Sequence, residues 1–169
     1  MTPRAAGRRD DLRVGPWGAW FQGRRFACAI GRGGIRWEKR EGDGATPAGV
    51  FGLRAIYLRR DRRAGPWQAI GPQLRWSDDP ADPQYNAPFR SFAPTHSAER
   101  LRRPDPIYDY VAALDHNWPD PMPGAGSAIF LHVWRRPRHP TEGCVAFATA
   151  DIAWILARWR PWSRVVIRP

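Results

Sequence analysis

The sequence predicts a mainly β domain with one main α-helix at about 148–160. Three observations predict it. Apolar runs are short and broken by 18 Pro and 16 Gly spread along the chain, a rhythm of strands and turns rather than of helices. One stretch, Ile152, Ile155, Leu156 and Trp159, has the i, i+3, i+4, i+7 spacing of a helix with one buried face. The length, 169 residues, suits a single core. The expected division is an N-terminal tail over 1–14 and one domain over 15–169.

Strands are expected at 18–21, 25–30, 34–38, 51–58, 108–114, 128–133 and 164–167. Within 25–30, alternation sets Phe26, Cys28 and Ile30 on one face, so Cys28 reads as a small buried residue. Within 128–133 it sets Ile129, Leu131 and Val133 on one face and Phe130 with His132 on the other. For the helix, Thr149 is the expected cap, Asp151 complements the dipole in the first turn, and Pro161 stops it. A second helical turn is expected near 98–101. The stretch 76–88 holds three Asp and three Pro and reads as a loop that cannot be a central strand. The stretch 118–126, with three Pro and two Gly, reads as another. Long irregular loops in a compact domain are often binding walls. Most of the 10 Trp should sit in the core.

Composition narrows the function. There are 27 basic residues against 16 acidic, a net charge of +11, and Lys39 is the single lysine. Arg prefers planar, bidentate anionic partners, so nucleic acid, anionic lipid or a carboxylate-rich polymer are the candidate partner classes. The Arg doublets are dispersed and accompany no RNP-like, zinc-finger or basic-zipper motif, which argues against a nucleic-acid partner. No run of eighteen apolar residues exists, so no transmembrane segment is expected. The Arg-rich start lacks an apolar h-region. Either the true start differs, export takes an atypical route, or the protein stays in the cytoplasm. Two cysteines exclude a disulfide scaffold. Without HxxxH or CxxC spacing no metal is expected, and a Cys144–His132–His139 site has weak support. No cofactor is expected, and Gly42-Asp43-Gly44 lacks the Gly-Lys-Ser/Thr of a phosphate loop.

The chemistry concentrates at Thr141-Glu142-Gly143-Cys144. A Cys just after Gly can lie in a tight turn whose N–H groups, here of Gly143 and Cys144, form an oxyanion hole beside the sulfur. The helix N-terminus that follows would favour thiolate. Twelve positions earlier, His132 on its strand is the matching base. His139 is closer in sequence but sits in the exposed Arg135–Pro140 loop.

Gly42-Asp-Gly-Ala-Thr-Pro-Ala-Gly49, Phe51, Ile129-Phe-Leu-His132 and Thr141-Glu-Gly-Cys-Val145, in that order and spacing, resemble the L,D-transpeptidase (YkuD-type) catalytic domain. The resemblance covers roughly residues 15–169. It implies a β-sandwich-like mixed fold, a periplasmic or cell-wall setting and peptidoglycan stem peptides as substrate. It maps the nucleophile to Cys144, the histidine to His132, and the Thr-Pro-x-Gly segment, a structural hairpin, to Thr46, Pro47 and Gly49. The family often shows Ser-x-Gly-Cys-x-Arg with His before the Gly; here Thr141, Glu142 and Ala146 stand instead. Arg135, Arg136 or Arg138 would replace the missing Arg. Glu142, Thr141, Arg135, Arg136, Asp43, Tyr85, Asn86 and Trp134 are the candidate substrate contacts, with Asn117 beside them. For Asp43, Asn86 and Asn117 a turn or capping role is the competing reading. The reaction implied is acyl transfer through a Cys144 thioester, giving a 3–3 or 1–3 cross-link. The alternatives are a cell-wall peptide hydrolase and a non-catalytic wall-binding module.

Overall fold

The computed structural model describes residues 8–169; residues 1–7 of the expected tail lie outside them. Sixteen short strands and one helix are present among the described residues, labelled in chain order. They are β1 (Leu12–Gly15), β2 (Gly18–Phe21), β3 (Arg24–Phe26), β4 (Cys28–Ala29), β5 (Ile35–Arg36), β6 (Thr46–Pro47), β7 (Gly49–Phe51), β8 (Leu53–Leu58), β9 (Gln68–Ala69), β10 (Leu74–Ser77), β11 (Pro88–Arg90), β12 (Ala98–Arg100), β13 (Tyr110–Leu114), β14 (Phe130–Val133), β15 (Val145–Phe147), α1 (Thr149–Ala157) and β16 (Val165–Ile167).

Two mixed sheets carry the fold. One has the order β3-β2-β1-β16-β7, the other β4-β15-β14-β13-β8-β9. The main core lies between them: Leu12, Val14, Phe21, Val165 and Ile167 from the first meet Leu58, Ala112, Leu131, Val145 and Phe147 from the second. α1 adds Ile152, Ile155 and Leu156. The opposite face of the six-stranded sheet, through Val111, Ala113 and Phe130, packs a second core against Leu74 and Trp76 of a three-stranded sheet, β11-β10-β12. β13 is therefore buried on both faces, and its residues Tyr110–Leu114 are apolar throughout rather than alternating. The mainly β, sandwich-like architecture is the expected one.

Several elements differ in detail. Residues 12–14, expected in the tail, are β1, paired in parallel with β16 in the register Leu12↔Val165. Segment 25–30 is two strands in different sheets, since the chain crosses between sheets at Ala27. Segment 51–58 likewise divides at Gly52, whose N–H donates to Asp115 Oδ1 at 2.9 Å. Thr46–Pro47 is a short parallel strand against Ile35–Arg36 rather than a hairpin. Trp76 and Ser77 lie in β10, the centre of a sheet. Pro80 and Pro83 break only the loop beyond it, and Pro88 opens an edge strand. Residues 98–100 are strand, because pairing with β10 overrides local helical preference. The helix cap is Ala148, without a side-chain bond, and Thr149 is already helical. The helix ends at Ala157, where the Arg158 and Trp159 N–H groups bond the Ile155 and Leu156 carbonyls. Among the tryptophans Trp76 is buried, whereas Trp17, Trp20, Trp37, Trp118 and Trp162 are exposed. Three of these five carry Arg guanidinium groups about 5 Å from the ring: Arg25 over Trp20, Arg168 over Trp37 and Arg54 over Trp118.

Candidate active site

The turn before β15 is stitched down on both sides. The Thr141 N–H donates to the Ile30 carbonyl at 3.0 Å, and the Arg32 N–H donates to the Thr141 carbonyl at 2.9 Å. The Thr141 hydroxyl donates to the Cys144 carbonyl at 2.6 Å and accepts the Gly143 N–H at 3.1 Å. Gly143 has φ 142°, and a Cβ there would meet the Ala45 carbonyl oxygen at 2.8 Å. Glycine is thus required by conformation and by space. Because Thr141 occupies the Gly143 N–H, that group is not a free oxyanion donor, contrary to the sequence reading. The Cys144 N–H remains for that role.

Cys144 follows the turn and borders the second core. Its thiol donates to the Ala128 carbonyl at 3.2 Å, and its sulfur accepts the Phe130 N–H at 3.3 Å. Burial pushes this thiol up to about 12. The helix N-terminus does not offset this, because β15 lies between Cys144 and Thr149. That corrects the expected thiolate stabilisation.

His132 sits on β14, one strand away, in register with Ala146. Its Nδ1–H donates to the Val133 carbonyl at 2.8 Å, which leaves Nε2 as the basic atom. Burial pushes the imidazole down to about 4, so it rests neutral. The Tyr108 ring meets the imidazole edge-on at 5.4 Å.

His132 and Cys144 line one cavity of about 430 Å³. Thr141, Glu142, Arg135 and His139 also border it. Glu142 is held by Arg32 at 2.5 Å. Six expected contacts do not line the cavity. Asp43 closes its own loop, accepting from Lys39 Nζ at 2.5 Å and from the Arg40 and Ala45 N–H groups at 2.8 Å. Tyr85 is buried, donating to Glu41 and accepting the Gly126 N–H. Asn86, also buried, accepts from Trp76 Nε1 and the Ala128 N–H and donates to the His116 and Asn117 carbonyls. Asn117 likewise binds its own loop, at Met122 and Gly126. Arg136 is exposed, and Trp134 is tied by its N–H to Phe147. These polar side chains fold the loops that support the site. Asn86 holds Ala128, whose φ of 53° is rare for a side-chain-bearing residue and whose carbonyl accepts the thiol proton.

Sequence reasoning missed Asp78, Glu99, Arg103 and Tyr108, which also line the cavity. They come from distant elements, and nothing in their local pattern marks them. Arg103 pairs with Asp105 at 2.6 Å and lies 5.5 Å over the Tyr108 ring. Among the described residues no group of three or more His, Cys, Asp or Glu side chains is placed to hold a metal ion.

The fold and the cleft together define a class: β-sandwich domains in which a strand histidine and a Gly–Cys turn face one polar cavity. The chain belongs to the L,D-transpeptidase catalytic domain family, YkuD, which matches residues 19–167. Membership carries L,D-transpeptidase activity in general, and peptidoglycan as the family's substrate. No curated protein and no solved structure matches the chain. Among the described residues no helix is long and apolar enough to cross a membrane.

Proposed function

We propose that this protein is a cysteine acyltransferase that cross-links peptidoglycan stem peptides through a thioester on Cys144, in the periplasm or at the cell wall. The observation that carries the reading is one cavity shared by the Cys144 turn and by His132, with Nδ1 of the imidazole already committed to Val133. A donor stem carbonyl in the cavity is attacked by Sγ while His132 Nε2 takes the thiol proton. The C–N bond breaks and His132 returns that proton to the leaving amine. The Cys144 N–H steadies the oxyanion. An amine of a second stem then attacks the thioester, and Sγ leaves as the thiol. The resting pair is neutral thiol and neutral imidazole, so charge separates only when substrate fills the cleft and excludes water. Arg135 is the cavity cation available for a stem carboxylate, in the role first given to Arg135, Arg136 or Arg138, because Arg32, Lys39 and Arg103 are paired with Glu142, Asp43 and Asp105.

A 3–3 linkage is the default. A 1–3 linkage is the second reading, favoured by Ala146: the family Arg would stand on the sheet face of His132, in register with it, and its absence changes that wall. The test is mass spectrometry of muropeptides after incubation with wild type and with Cys144→Ala. New dimers from wild type alone are expected, and their fragmentation locates the joined residues. Shortened stems without dimers would make the protein a hydrolase, and unchanged muropeptides a wall-binding module.

A further inference from the structure

The three-stranded sheet places two carboxylates opposite the chemistry. Trp76 of β10 pairs with Glu99 of β12, and the Asp78 N–H continues the ladder to the Ser97 carbonyl at 3.3 Å. By alternation, Trp76, Asp78 and Glu99 share one sheet face. Trp76 packs on Phe130 of β14 at 5.0 Å, so that face looks onto the sheet carrying His132. Both acids line the cavity with Cys144.

Their hydrogen bonding is incomplete. Asp78 Oδ1 is fully buried and has no hydrogen-bond partner. A buried carboxylate oxygen left unpaired is costly and calls for a reason. The other acids of the cavity are engaged: Glu41 accepts from the Tyr85 and Ser127 hydroxyls, and Glu142 is paired with Arg32. Glu99 has Tyr108 and Arg103 as its neighbours, and Arg103 is itself spent on Asp105. Asp78 and Glu99 thus neighbour each other across the ladder, and among the described residues neither has a salt-bridge partner, inside a chain of net charge +11.

We propose that Asp78 and Glu99 bind the ammonium group of the acceptor peptide, the primary amine that ends the thioester. A cationic amine with three N–H donors matches an unpaired buried carboxylate oxygen and its neighbour. The transfer step balances. The bound R–NH3+ gives one proton to the carboxylate pair. The free amine forms its N–C bond as the Cys144 S–C bond breaks, and the second proton passes through His132 to the departing sulfur. The carboxylates thereby favour an amine over water as acceptor.

The inference rests on the transferase reading, and the experiment separates the two. Intact-mass detection of the thioester with a donor stem tests that reading in wild type; no thioester there sinks the reading itself. For the acceptor site, a peptide carrying a free primary amine is titrated by calorimetry into the Cys144→Ala protein, beside the same peptide N-acetylated. The free amine should bind about 10- to 100-fold tighter. Asp78→Asn or Glu99→Gln should erase that preference. In the active enzyme the same variants should raise the acceptor KM by a similar factor and shift product from dimer to hydrolysed stem, with thioester formation within about twofold of wild type. Equal binding of the two peptides to Cys144→Ala overturns the proposal, even if a carboxylate variant fails to fold. So does an acceptor KM unmoved in two folded variants.

Discussion

Cys144 and His132 illustrate how burial tunes reactivity one residue at a time. Both lose solvent on entering the cleft, and desolvation disfavours whichever form is charged. The thiol therefore goes up, to about 12, and the imidazole down, to about 4. The chemical consequence is a quiet nucleophile. Alkylation of Cys144 by iodoacetamide, followed by mass spectrometry, should be slow at neutral pH and still rising above pH 10. A plateau between pH 6 and 8 would show a preformed thiolate–imidazolium pair and contradict this account. His132→Asn keeps a polar side chain but removes the base. Dimer formation should fall by about 10²- to 10⁴-fold, while free-amine peptide binding stays near wild type. The departure at Thr141 is conservative in a physical sense, because its hydroxyl ties Gly143 to the Cys144 carbonyl. Thr141→Val should cost activity, and Thr141→Ser should restore it.

At the scale of elements, the site depends on two irregular connections that carry no chemistry. The loop after β10 ends at Asn86, whose four side-chain hydrogen bonds gather Trp76, the 116–117 corner and Ala128. Asn86 adopts φ 57°, a conformation asparagine tolerates better than most residues. Asn86→Ala leaves these buried groups unpaired and should cost about 2–4 kcal/mol in urea unfolding. It should also free the Ala128 carbonyl that holds the thiol. The second connection is the Thr141–Cys144 turn. Gly143→Ala puts a methyl against the Ala45 carbonyl at a φ of 142°. Loss of dimer formation with only a modest change in melting temperature is the expected result, since the strain is confined to this turn.

For the molecule as a whole, much of the Arg surplus is internal fastening. Asp109 is buried and accepts from Arg62 and Arg63 at 3.1 Å, Asp61 binds Arg59 and Arg102, and Arg24 stacks on Phe26 and Trp154. The N- and C-terminal strands are joined by another such pair. Asp11, 1% exposed, takes both Arg164 Nε and Nη2, and the Leu12 N–H donates to the Arg164 carbonyl at 2.8 Å. The Arg164 hydrogen bonds hold the Asp11 carboxyl below its ordinary 3.8. A depressed folded pKa means the stabilisation is complete above about 4 and is lost as pH falls through the folded value. Asp11→Asn should therefore lower the melting temperature at pH 7 and make little difference near pH 2. An equal deficit at both pH values would mean the pair acts by packing rather than by charge.

The β class, the position of the helix and the pairing of a strand histidine with a Gly–Cys turn were legible along the chain. Each rests on local periodicity or on residues within twelve positions of one another. Expected contacts such as Asp43, Tyr85 and Asn86 were legible as polar residues in loops, but their direction was not. A loop side chain points where its hydrogen bonds take it, and here those partners lie up to 44 residues away. β10 and β12 escaped notice because their strand character comes from pairing with each other, not from composition. With them went Asp78 and Glu99, whose partners in space include β14. Periodicity and spacing therefore decided the architecture and the reactive pair. Folding alone decided how deeply that pair is desolvated and which charges face it, because burial and electrostatic environment are set by what packs across the cavity.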